Sequence, residues 1–361
     1  MVKFIFKIFM IPIILATLAF AIFSNDQFLY SEPVGLITAI KTTSTSTVKD
    51  EFNNYDKSIT QILNIKLLNK SQKTIQIENT ATLSQTDSQV YQIGQQVILN
   101  QNKYPFQIRS LKRDAILAAI IVLIVSFLIT FMRWRASLYL ILSLILSIIY
   151  FIIAIRFNLE FTDISSLLIY GTLALVFSFS ALSFVLGLNR QMIFTFLTTI
   201  ISTTFTFLLV ITLLSMTHSI GINFEYMEFI TKNPQTLFFM GASISVLGAI
   251  MDCCGDIVAG LFALFRQNPK TNQKSFFHSG INIGQEITGT LTNVLFMIFI
   301  AGTLPMTFLL LRNGNSWSYI LSVALNLGLL QTLISAIGII LSVPITAWLT
   351  AFFLSRQKEK V

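Results

Sequence analysis

Seven apolar runs, residues 114–132, 136–155, 163–188, 192–217, 235–265, 283–311 and 319–354, succeed one another with short polar breaks between them. Crossing the hydrocarbon core of a bilayer takes roughly 20 apolar residues of helix. Inside it every backbone N–H and C=O must be satisfied by the chain itself. Runs of this length and number therefore call for a bundle of membrane-crossing helices. Only 11% of the residues are charged, against roughly 25% in soluble globular domains.

An eighth run, Ile8–Phe23, stands behind Lys3 and Lys7 and carries Ala19-x-Ala21, the small-residue spacing of a cleavage site. The run continues past that spacing, which favours an uncleaved anchor over a signal peptide. Either reading exports residues 24–113. These are polar and rich in Ser, Thr, Asn and Gln, with no run long enough to span. "QILNIKLLN", "KTIQIEN" and "VYQIGQQVILN" are short, partly alternating and punctuated by Gly94 and polar clusters, which predicts a small β-barrel or sandwich. The Thr/Ser tract "KTTSTSTVKDE" is expected to be a solvated loop. The expected fold is thus an α-helical integral membrane protein of about eight transmembrane helices, with a β-rich exported domain between the first and second. Its parts are an anchor at 1–23, an extracytoplasmic domain at 24–113 and a seven-helix bundle at 114–361.

The net charge of +8 has to be assigned loop by loop, because basic residues collect on the cytoplasmic side. The inside loops of this arrangement hold Lys3, Lys7, Arg133, Arg135, Arg190, Arg266, Lys270, Lys274, Arg356, Lys358 and Lys360, and the short outside loops only Arg156, Lys232 and Arg312. Both termini are expected on the cytoplasmic side. No basic cluster suits nucleic acid. The adjacent Cys253 and Cys254 offer neither a disulfide framework nor a metal-binding spacing.

Residues 235–265 would make a helix of about 46 Å against a core of about 30 Å, with Gly241, Gly248, Gly255 and Gly260 as places to bend or break. The last run carries Asn326, Gln331, Gly338 and Pro344, and its first part is expected to lie in the interface before the chain crosses. No internal repeat is visible, which counts against the common secondary-transporter folds.

The stretch "MDCCGDIVAG" sets two aspartates into one of these apolar runs. Counted from Arg266, Asp256 lies about 15 Å deep and Asp252 about 21 Å deep in a helix. A charge at mid-span costs roughly 2.5–3.5 kcal/mol on insertion scales and normally faces a bundle interior or a wet cavity. Four-residue spacing puts both acids on one face, where they repel. Gly241, Ser245, Gly248 and Ala259 share that face in the small-xxx-small pattern that lets helices approach closely, so the acids are expected to point at protein. One shared proton, or a cation between the carboxylates, would relieve the repulsion. In "GQEITGTLTNVLF" Glu286, Gly289, Thr290 and Asn293 are expected to meet the aspartates across an antiparallel helix pair, Gly289 serving close packing. The bland alternative for each is an interhelical hydrogen bond worth about 0.6 kcal/mol.

Thr195, Thr199, Ser202 and Thr206 form a second polar stripe at helical spacing. It lines a pathway or, more commonly, bonds back to its own helix. Cys253 and Cys254 read as small apolar fillers. His218 is expected at the outer interface and His278 in a cytoplasmic loop, without the company that a metal site or triad needs.

"GASISVLGAIMDCCGDIVAG", "SGINIGQEITGTLTNVLFMIFIAGTLP" and "AIGIILSVPITAWLTAF", behind an apolar segment and a small β-rich domain, resemble the YibE/F-like family of bacterial multi-pass membrane proteins. The resemblance spans nearly the whole chain. It aligns the family's GA-x-MD pattern with Gly248, Ala249, Met251 and Asp252, and its acid-x-x-GT-x-x-N pattern with Glu286, Gly289, Thr290 and Asn293. Cys253, Cys254, Gly255 and Asp256 depart from it, as does Glu286, where the resemblance implies aspartate. It implies an architecture and no activity.

Three functions compete. A transporter or permease would bind a proton or cation at Asp252, Asp256, Glu286 and Asn293. A scaffold or accessory subunit would bind an envelope partner through residues 24–113, its buried acids keeping helices in register. Intramembrane proteolysis is suggested by Gly255-Asp256 but needs two opposed carboxyls, and here both sit on one helix. No enzyme activity, cofactor, metal or nucleic acid is expected. The expected partners are the lipid bilayer, a related membrane subunit or second copy, and the envelope partner.

Overall fold

The computed structural model describes residues 2–49, 51, 53–69, 73–85, 88–100, 106–161, 166–227 and 233–357. Lys232, Lys358 and Lys360, three of the residues that set the expected orientation, lie outside the described residues, as do the side chains of Lys3 and Lys7. The chain forms two compact units, Met1–Ser137 and Leu138–Val361. The second break expected from sequence falls at 113, so the first unit also takes in the helix after the sheet.

That first unit holds α1 (Val2–Ser24), the strands β1 (Val34–Lys49), β2 (Tyr55–Leu67), β3 (Thr74–Thr82), β4 (Gln96–Leu99) and β5 (Ile108–Leu111), and α2 (Asp114–Phe131). The two helices pack together, with Phe9 edge-on to Phe127 at 5.9 Å between ring centroids. The strands form one antiparallel sheet in the order β3-β2-β1-β4-β5. It is a single open sheet, where a closed barrel or a two-sheet sandwich was expected. Ile37, Leu63, Ile65, Leu67, Tyr91, Val97 and Leu99 make its core.

The Thr/Ser tract is not a loop. Residues Lys41–Lys49 extend β1 and pair with Tyr55–Ile62 of β2. They are solvated almost throughout, but β-branched Thr suits an extended pleat and the facing strand supplies the hydrogen bonds. A glutamine fixes the segment before β4: Gln61 Nε2 donates to the Tyr91 carbonyl at 3.1 Å, and its Oε1 accepts from the Tyr91 N–H at 3.0 Å.

The second unit is helical: α3 (Trp134–Glu160, whose first residues belong to the first unit), α4 (Ser166–Leu186), α5 (Arg190–Met216), α6 (Pro234–Gln267), α7 (Gln273–Arg312), a short α8 (Trp317–Ile320) and α9 (Asn326–Gln357). One wide π-turn, Leu321–Leu325, joins α8 to α9. Among the described residues seven helices, counting α8 through α9 as one, are long and apolar enough to cross a membrane, and Phe9–Ser24 is a shorter apolar helix. The ends are locally encoded. Gly187 at φ +76° stops α4; Asn189 then donates to the Leu186 carbonyl at 2.7 Å and accepts from the Met192 N–H at 2.8 Å, capping α5.

Three helix expectations need correcting. The glycines of α6 do not break it; it is continuous for 34 residues. Helix α7 begins ten residues before the expected start, so His278 lies in a helix and not in a loop. Its first turns are held by tertiary packing, Phe276 being fully buried with Leu261, Val343 and Ala351. Finally, helix is continuous through the π-turn in the last run, with no break between the part expected in the interface and the part expected to cross.

Helix α6 is central, packing on α4, α5, α7 and α9, and α9 packs in turn on α5 and α7. Two glycines allow α7 to reach α9. A Cβ at Gly280 would stand 2.8 Å from the Ala347 Cβ and 3.1 Å from its Cα, and one at Gly284 would run into Val343.

Candidate functional site in the helical unit

The helical phase of α6 decides what the aspartates meet. At 3.6 residues per turn, Cys253, Cys254, Ile257, Val258 and Leu261 share the face that is fully buried against the bundle. Asp252 and Asp256 turn to the other side, and both are exposed. They line a cavity of about 430 Å³, walled by Ala181, Leu182, Val185 and Leu186 of α4, by Met251, Gly255 and Ala259 of α6, and by Leu291 of α7. Four residues apart on one helix, the two carboxylates are one turn from each other at the mouth of an otherwise apolar chamber.

The close approach of Gly260 to Ile283, 2.7 Å from where a Cβ would stand, sets the register between α6 and α7. Eight residues further along each, Asp252 comes level with Leu291, which does line the cavity. Glu286 and Asn293 do not: both are exposed on another face of α7 and neither belongs to the lining. The four groups expected to converge are therefore a pair of aspartates with two polar groups turned elsewhere. The Thr290 hydroxyl donates to the Ile287 carbonyl at 2.9 Å.

The small residues of the acid face do not pack against another helix of their own unit either. A Cβ at Gly241, Gly248 or Gly289 would have no neighbour within 4 Å, and Ser245 is half-buried. The close-packing glycines are instead Gly260, Gly280, Gly284, Gly328 and Gly338. A small-xxx-small pattern marks a face that could be approached, and the buried face of α6 is the one carrying the cysteines.

That buried face meets a polar seam that sequence reading caught only by half. Thr195, Thr198, Thr199, Ser202 and Thr206 of α5 and Ser335, Ser342, Thr346 and Thr350 of α9 are all essentially inaccessible. Most bond back to their own helices: Thr195 to the Gln191 carbonyl at 3.0 Å, Thr199 to Thr195 at 2.7 Å, Thr206 to Ser202 at 2.8 Å and Ser342 to Ile339 at 2.8 Å. The Cys254 thiol lies 3.1 Å from the Thr346 hydroxyl and also interacts with Ser202, and among the described residues the Thr350 hydroxyl has no hydrogen-bond partner. The α9 half was missed, although its Ser and Thr recur at three- and four-residue spacing.

No group of three or more His, Cys, Asp or Glu that could hold a metal occurs among the described residues. The cavity offers two carboxylates of one sign and no fixed cation, a donor set suited to exchanging a proton or holding a partly hydrated cation.

The YibE/F-like protein family model matches residues 120–356, and the model of the YibE/F family N-terminal domain matches residues 28–111. The chain belongs to the YibE/F-like family. Among curated proteins and among solved structures, none matches it.

Proposed function

We propose that this YibE/F-like membrane protein is a permease in which Asp252 and Asp256 exchange a proton or cation as part of the transport step. The supporting observation is the cavity of about 430 Å³ between α4, α6 and α7, with two carboxylates one turn apart at its edge. Ionisable groups at such depth are costly and tend to sit where water or ions reach them. The rest of the wall is aliphatic, so charge introduced there has only these two oxygen-bearing side chains to meet. In this reading the protein sits in a bacterial plasma membrane with α1 as an eighth crossing, both termini in the cytoplasm and the sheet on the outer side.

The test is reconstitution of the whole chain in vesicles that report proton and cation movement. Asp252→Asn should abolish flux while expression, insertion and thermal stability stay as in the parent protein. Loss of folding in Asp252→Asn, with Asp252→Glu equally unable to fold, would make the residue structural and end the permease reading.

A second reading, an accessory subunit that engages an envelope partner, is favoured by the two strands, β3 and β5, that are each paired on one side only. Deleting residues 24–113 separates the two: flux that survives belongs to the bundle, whereas its loss in a well-inserted bundle favours partner binding.

A further inference from the structure

The sheet has two edges, and they face one cavity. Strand β3 pairs only with β2, and β5 only with β4. A cavity of about 720 Å³ is lined by Ile77, Glu78 and Asn79 from β3, by residues 107–111 and Arg113 from the β5 side, and by Ser88, Gln89 and Tyr91. Volumes of this order are those of binding clefts. Its apolar lining is core left partly uncovered: Ile77, Ile108 and Leu111 pack against the buried cluster while also lining the cavity.

Strand direction makes the gap specific. Every neighbouring pair in the sheet is antiparallel, so β3 and β5 run the same way. One further strand running opposite to both would be antiparallel on each side and would close the sheet.

Backbone groups for that strand are in place. The Ser88 hydroxyl donates to the Thr80 carbonyl at 2.8 Å, so Thr80 turns away from β2, and the alternation of an antiparallel ladder turns Glu78 and Gln76 with it. The Lys112 N–H bonds to the Gln96 carbonyl at 2.9 Å, toward β4. Leu111, in the opposite phase, turns away from β4, and a register shift between the pairs Ile98–Ser110 and Leu99–Ile108 sets Arg109 outside the regular ladder. None of Gln76, Glu78 and Leu111 makes a backbone bond beyond its own sheet among the described residues.

Three charged side chains line the groove, Glu78 on the β3 side and Arg109 and Arg113 on the β5 side, so an acidic guest residue belongs at the β5 side. Arg109 is held by Glu32. Arg113 lines the cavity and has no carboxylate partner among the described residues; the group its charge acts on is the phenol of Tyr91.

We propose that the groove between β3 and β5 takes one extended peptide strand of a partner protein, antiparallel to both edges. Alternate apolar side chains of the guest lie on Ile77, Ile108 and Leu111, and an acidic side chain meets Arg113. Strand addition of this kind draws affinity from main-chain hydrogen bonds and specificity from alternate side chains. The proposal stands independently of what the bundle conducts.

The test uses the full chain in detergent and a dye-labelled peptide of about eight residues, an ordinary strand length, alternating Val and Thr with one central Glu. Saturable binding is expected, weakened about tenfold or more by Arg113→Gln or by Gln in place of the peptide's Glu, the loss of one charge-assisted hydrogen bond. Two prolines in the peptide should abolish binding, and hydrogen exchange at Gln76, Glu78 and Leu111 should slow only when peptide is present. If Arg113→Gln impairs folding, the peptide's Glu→Gln change still decides. The proposal is overturned by absence of saturable binding, or by equal binding of the proline peptide. Displacement by inorganic phosphate as effective as by peptide would overturn it in favour of a small-anion site. Edge amides protected without peptide would overturn it too: at all concentrations they mean a closed sheet, and with rising protein concentration a second copy in the groove.

Discussion

Lys112 Nζ lies 2.6 Å from an Asp26 carboxylate oxygen, and the two side chains are only 2% and 8% exposed. The same ammonium donates to the Phe23 carbonyl at 2.7 Å and stands 3.8 Å from Asp114. One cation thus ties together the end of α1, Asp26 two residues beyond it and the first residue of α2. Removing one member of a buried pair strands the other charge and typically costs 3–5 kcal/mol. Lys112→Met should therefore lower the unfolding free energy of the first unit by about 3–5 kcal/mol, read by thermal or detergent-induced unfolding of the whole chain. Lys112→Met with Asp26→Asn should recover part of that loss, and a neutral single variant would contradict the geometry.

Glycines divide into two classes with opposite expectations. Alanine at Gly280 meets backbone and Cβ atoms of Ala347 that cannot give way, and alanine at Gly284 meets Val343. Each should destabilise the bundle by about 1–3 kcal/mol, the usual effect of overpacking. Gly248→Ala and Gly289→Ala have open space around them and should leave stability unchanged within one chain. A shift in oligomeric state with Gly248→Ala would mean that a second copy covers the acid face of α6, and one with Gly289→Ala that it covers the exposed face of α7.

Ser202 and Thr346 separate a structural seam from a functional one. The Ser202 hydroxyl is fully buried and makes no hydrogen bond of ordinary geometry among the described residues; its company is the Cys254 thiol, a weak partner that keeps its contact with Thr346 when the hydroxyl is removed. Ser202→Ala should match or exceed the parent in stability, while Thr346→Val, which removes the contact with Cys254, should cost about 1 kcal/mol. Loss of flux in Ser202→Ala at full stability would give the seam a part in transport.

How far the sequence carried depends on which forces act locally. The helices from α2 to α6 could be read within a few residues, because length and apolarity alone determine a crossing segment. The start of α7 could not: "SFFHSGINIG" is mixed in polarity and is helical because Phe276, Gly280 and Gly284 fit against neighbouring helices. Likewise "KTTSTSTVK" is a strand because β2 lies beside it. Helical periodicity placed Asp252 and Asp256 on one face, but periodicity does not say which face its own chain covers. That choice comes from the fit of Cys254, Ile250 and Ile257 against α5 and α9.

Tyr91 carries a pH prediction. Burial pushes its phenol above the ordinary tyrosine value, while the charge of Arg113 pulls it down by less. The buried neutral phenol thus contributes stability that is present below about pH 10 and is lost as pH rises through the higher folded value. Replacing Arg113 by Gln should move the titration of Tyr91 higher still. Tyrosinate absorbance of this variant and its parent, with Tyr91→Phe as the subtraction control, checks the sign; a downward move contradicts it.

Infrared difference spectroscopy of the purified whole chain addresses the aspartate pair most directly, because a protonated carboxyl and a carboxylate absorb separately. Raising pH, or adding a cation at fixed pH, should convert a carboxyl band to carboxylate, and that change should be absent in Asp252→Asn. A spectrum with no such response to proton or cation, or one that persists unchanged in Asp252→Asn, would contradict a cation-exchanging site in the cavity between α4, α6 and α7.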